Sequence, residues 1–159
     1  MARAELTSPR IRTARADDLP ALLDLLEQLR ERATPGVPWE RASGIEAEAT
    51  FSRILDDEGR ALFVAESDGA VVGTADVVIV QNLTHAARPI AYVENVVVER
   101  DYRGRGIGAA LMAACETRAR AAGAYKLQLL SNADRTDAHR FYDSLGYTQS
   151  ANGYRRYLH

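Results

Sequence analysis

One turn reads Arg103-Gly104-Arg105-Gly106-Ile107-Gly108 and lies between a valine-rich segment and an apolar helical pattern. Glycine allows the backbone to approach a ligand closely and to turn its N–H groups toward it. The positive end of a helix dipole favours an anion at the same place, and arginine supplies donors suited to phosphate. The turn therefore predicts a cradle for a diphosphate at the start of a helix.

Three other interpretations of this turn compete with the diphosphate cradle. A P-loop requires Gly-Lys followed by Ser or Thr, and the turn contains no lysine. Gly104, Gly106 and Ala109 fit the dinucleotide pattern G-x-G-x-x-G/A, but the connection from Val98 is longer than that tight crossover. No acidic residue ends the next predicted strand, as a dinucleotide fold would require. A flexible loop that merely contains glycines is the third alternative.

Hydrophobic periodicity and turn residues predict an α/β domain with a mixed sheet. Strands are predicted at residues 11–15, 61–66, 71–80, 91–98 and 125–130, with Tyr147 and residues 154–158 closing the sheet. Helices are predicted from Asp17 or Asp18 to Arg32, and at residues 45–55, 107–122 and 135–145. We therefore expect six to seven strands flanked by about four helices.

The composition limits the class of protein. The chain has 159 residues, which suits one domain at residues 11–159, preceded by a polar lead-in at residues 1–10 that is expected to be disordered. A net charge of -2 argues against a nucleic-acid partner. The single cysteine, Cys115, excludes an internal disulfide and favours a cytoplasmic setting. Apolar runs are too short to cross a membrane, and the spacing of the three histidines matches no metal motif.

Two motifs together resemble a known family. Arg103-x-x-Gly106-x-Gly108 follows a valine-rich strand, and Phe141-Tyr142 and Gly146-Tyr147 follow downstream. This combination resembles the GNAT superfamily of acetyl-CoA-dependent N-acetyltransferases over nearly the whole chain. The resemblance implies a GNAT-like fold, a homodimer, and acetyl-CoA as co-substrate with its pyrophosphate held by backbone N–H groups of the turn.

Three segments are predicted to bind acetyl-CoA. The backbone of the strand is expected to pair with the pantetheine arm at Val96, Val97 and Val98. The turn and the first residues of the helix contribute Arg103, Gly104, Arg105, Gly106, Ile107, Gly108 and Ala109. Asn132 and Tyr142 complete the predicted cofactor contacts.

Acetyl transfer to an amine requires a proton acceptor, a proton donor and donors for the carbonyl oxygen. A primary amine with a pKa near ~10.4 must lose a proton before attack, and a thiolate whose thiol has a pKa near ~8.5 is helped by gaining one. The resemblance implies that Tyr142 protonates the thiolate of CoA, and packing at a helix–sheet junction is its alternative role. A free N–H at Val97 or a neighbouring residue is expected to bind the carbonyl oxygen.

Glu94 is the predicted proton acceptor, acting directly or through a water molecule. It interrupts an apolar strand, where an unpaired carboxylate is costly. Strand alternation predicts Glu94, Val96 and Val98 on one face, unless a bulge changes the count. A structural ion pair with an arginine is the alternative role of Glu94.

The acceptor is expected to be a small primary amine. Residues 92–96 and 123–127 resemble glucosamine-phosphate N-acetyltransferases, whereas residues 137–142 and 146–150 resemble aminoalkylphosphonate N-acetyltransferases. Both resemblances imply an amine that carries a phosphorus oxyanion. Such an amine would suit a convergence of arginines, although scattered, solvated side chains are the alternative: Arg88, Arg135, Arg140, Arg155 and Arg156. Acetylation of a protein lysine or N-terminus and a non-catalytic CoA sensor are the competing functions.

Overall fold

The computed structural model of the protein describes residues 9–158, apart from the side chain of Arg32. Residues 1–8 of the predicted lead-in and His159 lie outside the described residues. The strands are β1 (Arg10–Thr13), β2 (Arg60–Ser67), β3 (Ala70–Val80), β4 (Ile90–Val98) and β5 (Lys126–Leu129). The helices are α1 (Leu19–Glu27), α2 (Gly44–Asp56), α3 (Thr84–Ala87), α4 (Ile107–Ala121) and α5 (Thr136–Ser144).

The described residues form one sheet in the order β1-β2-β3-β4-β5. Helices α1 and α2 pack on one face of it, and α4 packs on the other. β1 to β4 pair antiparallel, so directly opposed residues such as Val64 and Thr74 point to the same face. Val64 packs there against Leu22 of α1 and Phe51 of α2. Since side chains alternate along a strand, Gly73 faces the other side, where α4 lies.

Gly73 allows α4 to pack closely on β3. A Cβ atom at this position would lie 3.2 Å from both Ile107 Cγ2 and Leu111 Cδ1, closer than ordinary van der Waals contact. Ile107 and Leu111 belong to the buried face of α4, together with Met112, Cys115 and Ala119. The first turn of α4 is therefore fixed against the sheet immediately after the glycine-rich turn.

Asp18 fixes the start of α1 in a way that differs from the predicted cap. It occupies the N-cap position with Pro20 in the first turn, but its side chain makes no cap hydrogen bond. Instead, the Asp18 carboxylate accepts hydrogen bonds from the Arg12 guanidinium at 2.7 and 2.9 Å. The hydrogen bond from Arg12 holds the pKa of Asp18 below its ordinary value. The carboxylate therefore ties the helix to β1.

The predicted strand count is wrong for the described residues, which contain five strands rather than six or seven. The segment after α5, where Tyr147 and residues 154–158 were expected to close the sheet, forms no strand. Tyr154 and Leu158 are each 91% exposed, so the apolar pattern of this segment gains none of the cross-strand packing that stabilises a strand. The fifth helix, beyond the four expected, is the single turn α3, in which His85 and Ala86 have positive φ.

The chain divides into two compact units with the boundary after Gln128. The first unit contains β1 to β4 and α1 to α4, and the second contains α5 and the C-terminal segment. Within residues 9–158, no helix combines the length and the apolar character needed to cross a membrane.

Candidate functional site

The glycine-rich turn adopts a backbone that only glycine accepts at low cost. Gly104 and Gly106 have φ values of 73° and 79°, in the left-handed region. A Cβ atom at either position would have no heavy atom within 4 Å. Both positions therefore face open space, which leaves room for a ligand. Glycine is required there because of the left-handed backbone conformation.

The backbone N–H groups of this turn are available to a ligand. The Ala110 N–H donates to Gly106 O at 3.0 Å, which begins the hydrogen-bond series of α4. Among the described residues, the N–H groups of residues 104–109 donate to no protein acceptor. A helix leaves its first N–H groups unpaired, and these groups and the helix dipole favour an anion. The turn therefore fits the pyrophosphate that the sequence predicted there.

The two arginines of the turn are engaged by the protein. The Arg103 Nε–H donates to Val98 O at 2.9 Å. An Nη–H of Arg105 donates to Asp101 O at 2.7 Å, and the guanidinium lies 5.0 Å from the centre of the Tyr102 ring. These contacts assign both side chains a part in shaping the turn, beside the phosphate contacts predicted for them.

A bulge in β4 overturns the predicted alternation. Asp76 of β3 opposes Glu94, and Thr74 opposes Val97, so two residues of β4 face the single residue Ala75. One of the two is Asn95, with a φ of 54°. The extra residue places Glu94 on the same face as Val97, whereas simple alternation had grouped Glu94 with Val96 and Val98.

The register beyond the bulge decides which backbone groups of β4 point toward β3. The Glu99 N–H donates to Val72 O at 2.8 Å, so this opposed pair is hydrogen-bonded. Opposed pairs alternate in an antiparallel ladder, so Val97 also directs its N–H toward β3. Val96 and Val98 therefore direct their backbone groups away from β3. The predicted oxyanion donor moves from Val97 to one of these neighbours, and the Val98 carbonyl is already occupied by Arg103.

Glu94 is exposed, so the argument from the cost of its burial is wrong. Within residues 9–158, its carboxylate makes no ion pair, which leaves the alternative structural role without support. The buried carboxylate at this level of the sheet belongs to Asp76, 1% exposed, which accepts hydrogen bonds from Arg60. Asp76 holds the pKa of the Arg60 guanidinium above its ordinary value. Glu94 is therefore an exposed carboxylate opposite the buried ion pair of Asp76 with Arg60.

The second unit carries the remaining predicted residues. Tyr142 lies half-buried on α5, with its ring centre 5.1 Å from that of Phe141 and 6.0 Å from that of Tyr147. The side-chain oxygen of Asn132 accepts a hydrogen bond from Arg155 at 2.5 Å. The backbone oxygen of Asn132 lies 3.0 Å from His139 Nε2.

Cys115 is expected to be chemically inert in the folded protein. Burial raises the pKa of the Cys115 thiol to about 12, because the side chain is enclosed on α4. At pH 8 only about one thiol in ten thousand is then a thiolate. We expect the native protein to react negligibly with dithionitrobenzoate and the unfolded protein to yield one thiol per chain. Rapid reaction of the native protein would contradict the burial of Cys115.

Two residues of this region were not predicted from the sequence. Asp76 is a charged residue inside an apolar strand, the same signal that Glu94 gives. Gln28, whose side chain binds Glu99 and Arg103, gives no local signal because its partners lie 71 and 75 residues away.

An α/β domain with a row of free N–H groups before a helix, next to a bulged strand, is the arrangement expected of an enzyme that binds a diphosphate-containing cofactor. The Acetyltransferase (GNAT) family matches residues 22–147. The chain therefore belongs to the GNAT family, and it is an N-acetyltransferase that uses acetyl-CoA as co-substrate.

Three known proteins are similar to the chain. Glucosamine 6-phosphate N-acetyltransferase of Trypanosoma brucei brucei is 34% identical over 143 residues, which cover 86% of this chain and 87% of the relative. Aminoalkylphosphonate N-acetyltransferase of Salmonella typhimurium is 41% identical over 87 residues, 55% of this chain and 56% of the relative. A solved structure assigned as an acetyltransferase, from Agrobacterium tumefaciens, has a TM-score of 0.83 at 38% identity and covers 94% of this chain and 99% of its own.

Proposed function

We propose that the protein transfers the acetyl group of acetyl-CoA to the primary amine of a small molecule by direct attack. The observation that carries the donor half of this proposal is the row of unpaired N–H groups at residues 104–109. The glucosamine 6-phosphate and aminoalkylphosphonate N-acetyltransferases are named for small amines, and this supports the acceptor half of the proposal.

Each group has a separate role in the proposed reaction. Acetyl-CoA, when bound, supplies an acetyl group activated as a thioester. The N–H groups of residues 104–109 bind the pyrophosphate, and the outward backbone groups of Val96 and Val98 bind the pantetheine arm and the carbonyl oxygen. Glu94 accepts the proton that the amine loses, directly or through water, while Tyr142 donates a proton to the departing sulfur. A C–N bond forms and a C–S bond breaks.

We propose an anionic amine as the acceptor. Both similar enzymes are named for amines that carry a phosphate or a phosphonate. Arg88 is already committed, since it donates to Gly123 O and Ala124 O at 3.2 Å each. The other arginines that the sequence singled out belong to the second unit, where Arg155 also donates to the side chain of Asn132: Arg135, Arg140, Arg155 and Arg156.

A matched panel of amines tests the proposal. Release of the CoA thiol is measured with glucosamine 6-phosphate against glucosamine, and with aminomethylphosphonate against methylamine. One charge-assisted contact to the anion corresponds to about a tenfold higher kcat/KM for at least one anionic member. Equal rates for both pairs would contradict the anionic acceptor, and no thiol release from any amine would contradict the small-molecule function.

Acetylation of a protein lysine or N-terminus is the competing acceptor class. Peptides with a free N-terminus or an internal lysine belong in the same panel, and turnover of peptides alone would favour this alternative. The non-catalytic sensor is set aside, because the chain belongs to a family of acetyltransferases. The homodimer and the cytoplasmic location remain predictions from the resemblance and from the single cysteine.

A further inference from the structure

A glutamine at the end of α1 bridges one residue before the glycine-rich turn and one residue within it. This turn, residues 103–108, is the proposed cofactor turn. Gln28 Nε2–H donates to Glu99 Oε2 at 2.8 Å. Gln28 Oε1 accepts a hydrogen bond from an Nη–H of Arg103 at 3.0 Å. The amide thus uses its donor and its acceptor at once.

Each partner of Gln28 holds a different part of the backbone. The Arg103 Nε–H donates to Val98 O at 2.9 Å, at the end of β4. Glu99 Oε1 accepts from the Arg100 N–H at 2.7 Å, which caps the short 3-10 turn Arg100–Tyr102. The bridge therefore connects α1 to both ends of the segment between β4 and the glycine-rich turn.

We propose that Gln28 is a positioning residue for acetyl-CoA, acting through Arg103 and Glu99 on the backbone of the cofactor turn. The inference rests on the proposed cofactor site at residues 104–109. Gln28 holds the free N–H groups of that turn in line with the outward edge of β4. Gln28 itself does not contact the reacting atoms.

The physical reason is preorganisation. Glycines at positive φ give the turn more freedom in the absence of restraints, and ordering it during binding would lower the affinity for the cofactor. Gln28 joins a neighbouring carboxylate and guanidinium through one amide, which suits both partners because an amide both donates and accepts. A side chain that only donates or only accepts satisfies one partner and leaves the other unmatched.

Exchange of the two side chains provides the test. In Q28E, the new carboxylate still accepts from Arg103 but lies opposite the Glu99 carboxylate and repels it. In the double variant Q28E/E99Q, the amide and carboxylate change places, so the donor–acceptor pattern and the total charge are restored. The amide oxygen introduced by E99Q still accepts the Arg100 N–H, which preserves the cap.

The expected result is a change in KM that the exchange reverses. Loss of one or two hydrogen bonds predicts that Q28E raises the KM for acetyl-CoA about three- to tenfold, with kcat nearly unchanged. The double variant should return KM to within about twofold of the native value. E31Q is the matched control, because it breaks the exposed Arg100–Glu31 pair nearby without touching the bridge.

Three outcomes overturn the inference. The first is an unchanged KM in a folded Q28E variant, and the second is a raised KM that the exchange fails to restore. The third is an equal rise in the KM of E31Q, which would assign the effect to the loss of a nearby charge. Thermal unfolding of each variant checks that it folds, and a lower midpoint with native KM values counts as a purely structural role. Failure of the native protein to bind CoA would instead contradict the proposed cofactor site itself.

Discussion

Replacing Gly106 with alanine is expected to weaken CoA binding about 100-fold. This is the effect of losing two charge-assisted hydrogen bonds that contribute about 1.5 kcal/mol each. Gly106 is the N-cap of α4, with a φ of 79°. A methyl group there enters the open space that the pyrophosphate would fill, and alanine at this φ also shifts the adjacent N–H groups. Isothermal titration with CoA measures the loss.

Gly69 provides a control with the same backbone geometry. It lies in the turn between β2 and β3, also with a φ of 79° and no heavy atom within 4 Å of an added Cβ. Alanine at either position should lower the free energy of unfolding by about 1 kcal/mol, because both backbones are left-handed. Only the Gly106 variant should lose affinity for CoA. Native affinity in a folded Gly106 variant would rule out the proposed cradle.

The cofactor turn was predictable from sequence because its chemistry is local. Residues 103–108 set the backbone conformation, the start of α4 and the free N–H groups within six positions. The family resemblance depended on the same residues and was confirmed by the match over residues 22–147. A short segment whose conformation depends on its own residues leaves its signal in consecutive positions of the sequence.

Features that depend on pairing between distant segments were not predictable in the same way. The bulge at Asn95 and Val96 follows from the register of β4 against β3, so periodicity in one strand misplaced the face of Glu94. The bridge from Gln28 and the ion pair of Asp76 with Arg60 connect residues from different elements. The prediction of C-terminal strands is wrong for a different reason. The segment has an apolar pattern, but it has no neighbouring strand among the described residues.

Replacing Tyr142 with phenylalanine is expected to lower kcat about 10²- to 10⁴-fold, the usual contribution of a positioned acid. The change removes only the hydroxyl, so the ring contacts with Phe141 and Tyr147 remain. Without the donor, the departing sulfur must leave as an unprotonated thiolate. The dissociation constant for CoA should stay within about twofold, since the loss concerns the transition state.

Tyr147→Phe is the matched control, because Tyr147 packs against the Tyr142 ring and loses the same hydroxyl group. If packing in the second unit explained the effect, both variants would lose activity and unfold at lower temperature. If Tyr142 is the acid, its variant alone loses turnover, and thiols of lower pKa as leaving groups should recover part of the rate. Native turnover in Tyr142→Phe would remove the residue from the mechanism and leave Glu94 as the single assigned proton-transfer group.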